Sequence, residues 1–211
     1  MSTEFSPPRR RGRPPKVERS DADTRRLLIR SGVETLTEQG LAASSLDLIL
    51  KRVSVPKGSF YHYFENKEAF GKAILEEYGS FFDRKLRRVL RNQARSPLDR
   101  IDDFVNEAIA GMEKFDWQRG CLVGNLGQEI TVLPESFRDQ IEAIFATWQH
   151  HLACCLQEAQ QQGSISVSCD CDAMATFFWI GWEGAVMRAR LSRDSYPLTV
   201  FVTGFLSGIR T

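Results

Sequence analysis

The chain has 211 residues, of which 42% are hydrophobic and 26% charged, enough for an ordinary buried core beneath a solvated surface. Its net charge of +1 hides a division, since residues 1–67 hold 13 Lys/Arg against 8 Asp/Glu and the remainder holds 15 against 19. A basic head on a mildly acidic body points to a polyanionic partner for the head alone and argues against a uniformly basic coat or histone-like protein. No apolar run approaches the roughly 18–20 residues needed to span a bilayer. The opening MSTEFSPPRRRGRPPK has no apolar stretch of secretory type. The expectation is a cytoplasmic protein with no membrane partner. Cys121, Cys154, Cys155, Cys169 and Cys171 form no C-x-x-C pair, and His62, His150 and His151 complete no zinc spacing. Neither a disulfide framework nor a metal site is expected, and no cofactor.

Residues 1–20 are rich in Pro and Arg and read as a disordered basic arm. Within it, Arg11-Gly12-Arg13-Pro14 favours a narrow extended strand whose Arg11 and Arg13 can enter an A·T-rich minor groove. After the arm the pattern turns helical. Leu27, Leu28, Val33, Leu36 and Leu41 follow a first helix from about 23 to 39, stopped by Gly40. Ser44, with Asp47 three residues on, fits a capping box for a second helix whose inner face is Leu46, Ile49, Leu50 and Val53. Pro56 ends the turn, Lys57-Gly58-Ser59 opens a third helix, and Asn66 caps a longer one running to about residue 92. Further helices are predicted over 97–115, 121–131, 135–162, 171–192 and 196–208. The clearest of them puts Ile141, Ile144, Phe145, Trp148, Leu152, Cys155, Leu156 and Ala159 on one face. Strand-type alternation is confined to 164–168. The class is all-α, about nine helices.

The third helix carries the chemistry. Phe60 and Phe64, four apart, turn inward, and Lys57, Ser59, Tyr61, His62 and Tyr63 project on the other side. Hydroxyls, a lysine and phenols suit phosphate oxygens and base edges. Gly58 permits close approach of the helix start to a DNA backbone, and Lys67 can hold a phosphate from beside the reader.

Val55-Pro56-Lys57-Gly58-Ser59-Phe60-Tyr61-His62-Tyr63-Phe64, followed by Asn66-Lys67-Glu68-Ala69-Phe70, resembles the signature of the TetR family of transcriptional regulators. The resemblance implies a helix-turn-helix DNA-binding domain over 21–67 and a helical ligand-binding and dimerisation domain over 68–211. It also implies a homodimer on a pseudo-palindromic operator in double-stranded DNA. Lys57, Ser59, Tyr61, His62, Tyr63 and Lys67 would meet DNA, with Ser44 or Ser45 touching phosphate. The family often has Ala-Gly where this chain has Val53-Ser54, a change expected to be harmless.

Two later segments, 119–129 (RGCLVGNLGQE) and 178–185 (FWIGWEGA), are similar to repressors that respond to acrylate or reactive electrophiles. That likeness implies release from DNA when a small-molecule inducer arrives, a small acid, its thioester or an electrophile, and it places Glu183 in the ligand site. Asn125, Gln128 and Glu129 would anchor the ligand, Trp117, Trp148, Trp179 and Trp182 would wall it, and Arg119, Arg188 or Arg190 would pair a carboxylate. Cys121 follows a glycine at a helix start, where thiolate is favoured. Some relatives pair this cysteine with a lysine where Arg190 stands, and arginine stays protonated. Gly181, Gly184, Ala185 and Ala189, with Val200, Phe201, Phe205 and Leu206, suggest a two-fold helical interface. A cysteine-dependent enzyme acting on an acyl or electrophilic substrate is the alternative, and it lacks an evident base beside Cys121. No catalytic residue is assigned.

Overall fold

The computed structural model describes residues 20–210. Within them the chain runs through nine α-helices: α1 (Asp21–Gln39), α2 (Leu46–Val53), α3 (Lys57–Tyr63), α4 (Lys67–Leu90), α5 (Pro97–Glu113), α6 (Leu122–Gln128), α7 (Glu135–Gln161), α8 (Cys171–Ser192) and α9 (Tyr196–Ile209). A 3₁₀ turn, Ile130–Val132, follows α6. The alternating 164–168 stretch yields a single bridge, Ile165 to Arg210.

Side-chain caps set most helix starts. Ser20 accepts from Asp23 N–H, Asn66 from Ala69, Ser96 from Asp99 and Asp170 from Ala173. Each satisfies a donor that the first turn would leave open, worth about 1 kcal/mol. The second helix departs from the expectation. Ser45, not Ser44, is its cap and accepts from Leu48 N–H. Ser44 is buried and donates its hydroxyl to the Gly40 carbonyl. The 44/47 capping box therefore does not form, and Asp47 pairs with Lys57 across 3.1 Å. The expected stop at Gly40 stands, with φ +77° and an N–H to Leu36 O bond closing α1.

The small domain closes around Leu28, Leu36, Ile49, Leu50, Phe60, Phe64 and Phe70, all buried. Phe60 and Phe64 lie 5.3 and 4.7 Å from the Phe70 ring, so the start of α4 completes this core. In the larger domain α7 packs against α4, α5 and α8, and α8 against α9. The buried Arg100 ties three of these together. It donates to Leu90 O at the end of α4, to Arg95 O ahead of α5 and to Glu158 of α7 at 2.7 Å. Pairing both charge and end-of-helix carbonyls is what makes a buried guanidinium tolerable.

Of the small residues Gly181, Gly184, Ala185 and Ala189 of α8, Gly184 alone is exposed. Gly181 abuts Phe201, Ala185 and Ala189 are buried, and Phe205 and Leu206 are buried on α9. Gly181 and Phe178 seat Phe201, and Phe178 also Phe205, which seals α8 to α9 within the chain. The exposed apolar side of α8 is Phe177, Ile180, Met187 and Leu191, spaced by three, seven and four residues with exposed Gly184 in the longer gap, and α9 adds exposed Tyr196 and Val200.

Candidate DNA interface and sensor site

On α3, Lys57, Gly58, Ser59, Tyr61 and His62 are exposed while Phe60 is buried, and a Cβ added at Gly58 would meet nothing within 4 Å. Ser45 is exposed at the start of α2. Donors and aromatics thus stand together on one outward side, held by the Phe60–Phe64–Phe70 cluster. Tyr63 is turned partly inward and donates to Asp21, whose carboxylate also lies 3.5 Å from His62 Nε2. The buried Ser44 cannot present its hydroxyl to a phosphate. Lys67 is exposed and donates to the Ser44 carbonyl, which ties the start of α4 to the start of α2. Arg11 and Arg13 lie outside the described residues.

The second assembly joins the two domains. Carbonyls at the C-terminal end of a helix carry partial negative charge and lack intrahelical donors. At the end of α1 those groups are met from the larger domain. Asn125 Nδ2 donates to Leu36 O and Thr37 O, Gly120 N–H to Thr37 O, and Arg190 Nη2 to Glu38 O at 3.0 Å. Arg119 reaches the side chains of Glu38 and Glu34. Just past α1, Glu129 Oε2 accepts from Leu41 N–H and Ala42 N–H, each at 2.9 Å. Arg119, Asn125, Glu129 and Arg190 are thus bonded to the small domain, where the sequence suggested ligand contacts. Asn125 and Arg190 also line a small cavity, together with Cys121, Gln128 and Glu183, and Arg119 lines a larger one with Val33, Tyr78 and Phe81.

The tryptophans separate as well. Trp148, Trp179 and Trp182 are buried in an aromatic stack with Phe82, Phe104 and Phe178, the Phe82–Trp148 and Trp148–Trp179 rings 4.3 and 5.0 Å apart. They fill the core and do not wall the Cys121 cavity. Trp117, in left-handed backbone with Asp116, lines a surface groove beside Met187 and Leu191.

Cys121 caps α6, its Sγ accepting from Gly124 N–H at 3.4 Å. That position favours thiolate, yet burial and the neighbouring Glu183 push the thiol well above its usual range. Desolvation wins because the helix is two turns long and the sulfur is out of water. Burial likewise raises the Glu183 carboxyl to about 7 and holds the Tyr78 phenol high. Tyr78, from α4, was not marked by sequence reasoning; its spacing only says that it faces inward. No cluster of three or more His, Cys, Asp or Glu among the described residues could hold a metal ion.

Comparisons with known proteins agree with this architecture. Residues 28–74 match the model of the bacterial regulatory proteins of the tetR family, and residues 97–205 that of the tetracyclin repressor-like C-terminal domain. The chain belongs to the TetR family and is a DNA-binding transcriptional repressor, not an enzyme. It is 45% identical to the transcriptional regulator AcuR of Cereibacter sphaeroides, over 93% of this chain and 89% of that protein. It is 34% identical to the repressor DhaR of Mycobacterium sp. strain GP1, over 85% and 88% respectively. The crystal structure of a regulatory protein TetR from Rhodobacter sphaeroides superposes with a TM-score of 0.85 at 45% identity, covering 87% of this chain and 97% of that one. No helix among the described residues is long and apolar enough to cross a membrane.

Proposed function

We propose that two copies of this chain hold a pseudo-palindromic operator and release it when a small acid, with acrylate as the model inducer, binds the larger domain. Lys57, Ser59, Tyr61, His62 and Tyr63 read the major groove, Ser45 and Lys67 hold phosphates, and Arg11 and Arg13 extend the footprint into the minor groove. The exposed stripe of α8 with Val200 and Tyr196 of α9 supports a two-fold pairing that fixes the spacing of the two readers.

One observation carries the regulatory half of this reading: side chains of the larger domain bond directly to the last carbonyls of α1. A ligand that disturbs Asn125 or Arg190 acts at once on the domain bearing the reader. Release follows if the ligand binds the DNA-free arrangement more tightly than the DNA-bound one. The likeness of segments 119–129 and 178–185 to acrylate- and electrophile-responsive repressors supports the choice of inducer.

The test is a gel-shift assay on the gene's own upstream DNA, titrated with acrylate, its thioester and unrelated acids. Release by acrylate at concentrations where unrelated acids do nothing is expected. A shifted band that no acid or thioester disturbs would remove the inducer assignment. A second reading, covalent sensing of an electrophile at Cys121, draws on the contact between its thiol and Glu183, which can accept the proton as sulfur attacks. Mass spectrometry after mild maleimide treatment decides it. Labelling of Cys154 and Cys169 ahead of buried Cys121 is expected from their exposure, and preferential labelling of Cys121 would favour the covalent route.

A further inference from the structure

An enclosed cavity of about 60 Å³ lies among Cys121, Gly124, Asn125, Gln128, Glu183 and Arg190. On the same measure one water needs about 10–15 Å³, so this space takes a molecule of only a few heavy atoms. Two glycines create it. A Cβ at Gly124 would sit 1.9 Å from Glu183 Oε2, and one at Gly120 would sit 2.6 Å from Arg190 Cδ. The missing side chains bring a carboxyl and a guanidinium into one enclosure.

Glu183 is the unexplained member. Its Oε1 is out of solvent and has no hydrogen-bond partner among the described residues, a costly condition that native structures rarely leave unanswered. Arg190 gives N–H groups to Asn125 Oδ1, Glu38 O and Gln118 O. A guanidinium has five such groups, so capacity remains for another acceptor.

We propose that this cavity is the inducer site and that it takes the carboxyl group of a short-chain acid between Glu183 and Arg190. The inference deepens the function proposed above and rests on its small-acid reading. Glu183 acts here as a neutral acid, donating its O–H to one ligand oxygen while Arg190 donates to the other. Burial holds its proton to about pH 7. The titratable groups acting on it are Cys121 from the cap of α6 and Tyr78 from α4, with Arg190 of its own helix lining the same cavity, and burial keeps the phenol and the thiol neutral. The ligand carboxylate is then matched by one cation and faces no anion.

The sign of the pH effect follows. Above the Glu183 value, binding must take up a proton, so affinity is full below about pH 7 and falls as pH rises through it, approaching tenfold per unit. Recognition is linked to release because Arg190 and Asn125 are the same groups that hold Leu36, Thr37 and Glu38. A ligand oxygen competes for the guanidinium that fastens α1.

The experiment is calorimetric titration of the full chain, without DNA, with propanoate and acrylate from pH 6.0 to 8.5, beside operator release by the same acids. Propanoate has no electrophilic carbon, so its binding separates recognition from reaction. Binding once per chain, with the stated fall above about pH 7, is expected. Glu183→Gln, permanently neutral, should bind with a flat profile, and Gly124→Ala should bind at least tenfold more weakly. A wild-type profile as flat as that of Glu183→Gln, undiminished binding by Gly124→Ala, or no binding of propanoate at all would overturn the site. If Glu183→Gln does not fold by circular dichroism, the wild-type profile and Gly124→Ala decide alone. Acids that release the operator while these tests fail leave the function standing and remove only the site. Acid binding with the expected profile but no release removes the function and keeps the site.

Discussion

Ser54 shows how one side chain sets a local cost. It closes α2 in left-handed backbone, φ +56°, where a glycine would carry no Cβ penalty. The Val53-Ser54 pair, expected to be harmless, is thus mildly strained. Ser54→Gly should stabilise the chain by about 1 kcal/mol, raising the melting temperature by about 2–4 °C in a thermal melt followed by circular dichroism. An unchanged or lower midpoint would mean that the Ser54 hydroxyl or the turn's rigidity contributes more than the strain costs. At the same scale, the sequence marked the polar residues of 119–129 as ligand contacts and gave no sign of their bonds to the small domain. Asn125 and Glu129 bond to groups 87–89 positions away, and no local pattern encodes a partner at that distance. Burial has the same character: Trp148 and Trp182 read equally well as pocket wall or core until Phe82 and Phe104 are seen against them.

Among the elements, helix spans were legible because the signals that start and stop helices are local. Asn66, Ser96, Gly40 and Pro134 act within a turn of their own position. The error at α2 is instructive, since Ser44 and Ser45 are equal candidates by type. The tertiary seat of Ser44 beneath Gly40, beside the Glu129 cap on Leu41 and Ala42, leaves the cap to Ser45. Glu129→Ala should therefore loosen the α1–α2 connection from α6. The loss of a charged acceptor by two backbone N–H groups is worth about 1–3 kcal/mol. Hydrogen exchange should speed at Leu41 and Ala42 while α8 and α9 stay protected, and unchanged exchange there would mean that the two domains are held by other contacts.

At the scale of the molecule, the exposed stripe Phe177–Ile180–Met187–Leu191 is what a second copy would cover. Ile180→Arg places a charge at its centre and should give a monomer in sedimentation at low micromolar concentration. Operator affinity should fall by about 10²-fold or more as the two readers are uncoupled. A dimer that survives this change would move the interface elsewhere. The sequence pointed to the small residues of the last two helices, and Gly181, Ala185 and Ala189 turn out to be packed within the chain, because small residues serve close packing within a chain as readily as between chains. The central claim is that a ligand in the larger domain and DNA on α3 compete through the α1 joint. Coupling between two binding sites is reciprocal. The direct measurement is the dissociation constant of acrylate for the free chain and for the chain saturated with operator, by titration under identical salt and pH. Acrylate should bind the operator complex more weakly, by the same factor by which it weakens operator binding. Equal constants for the two states would contradict the claim.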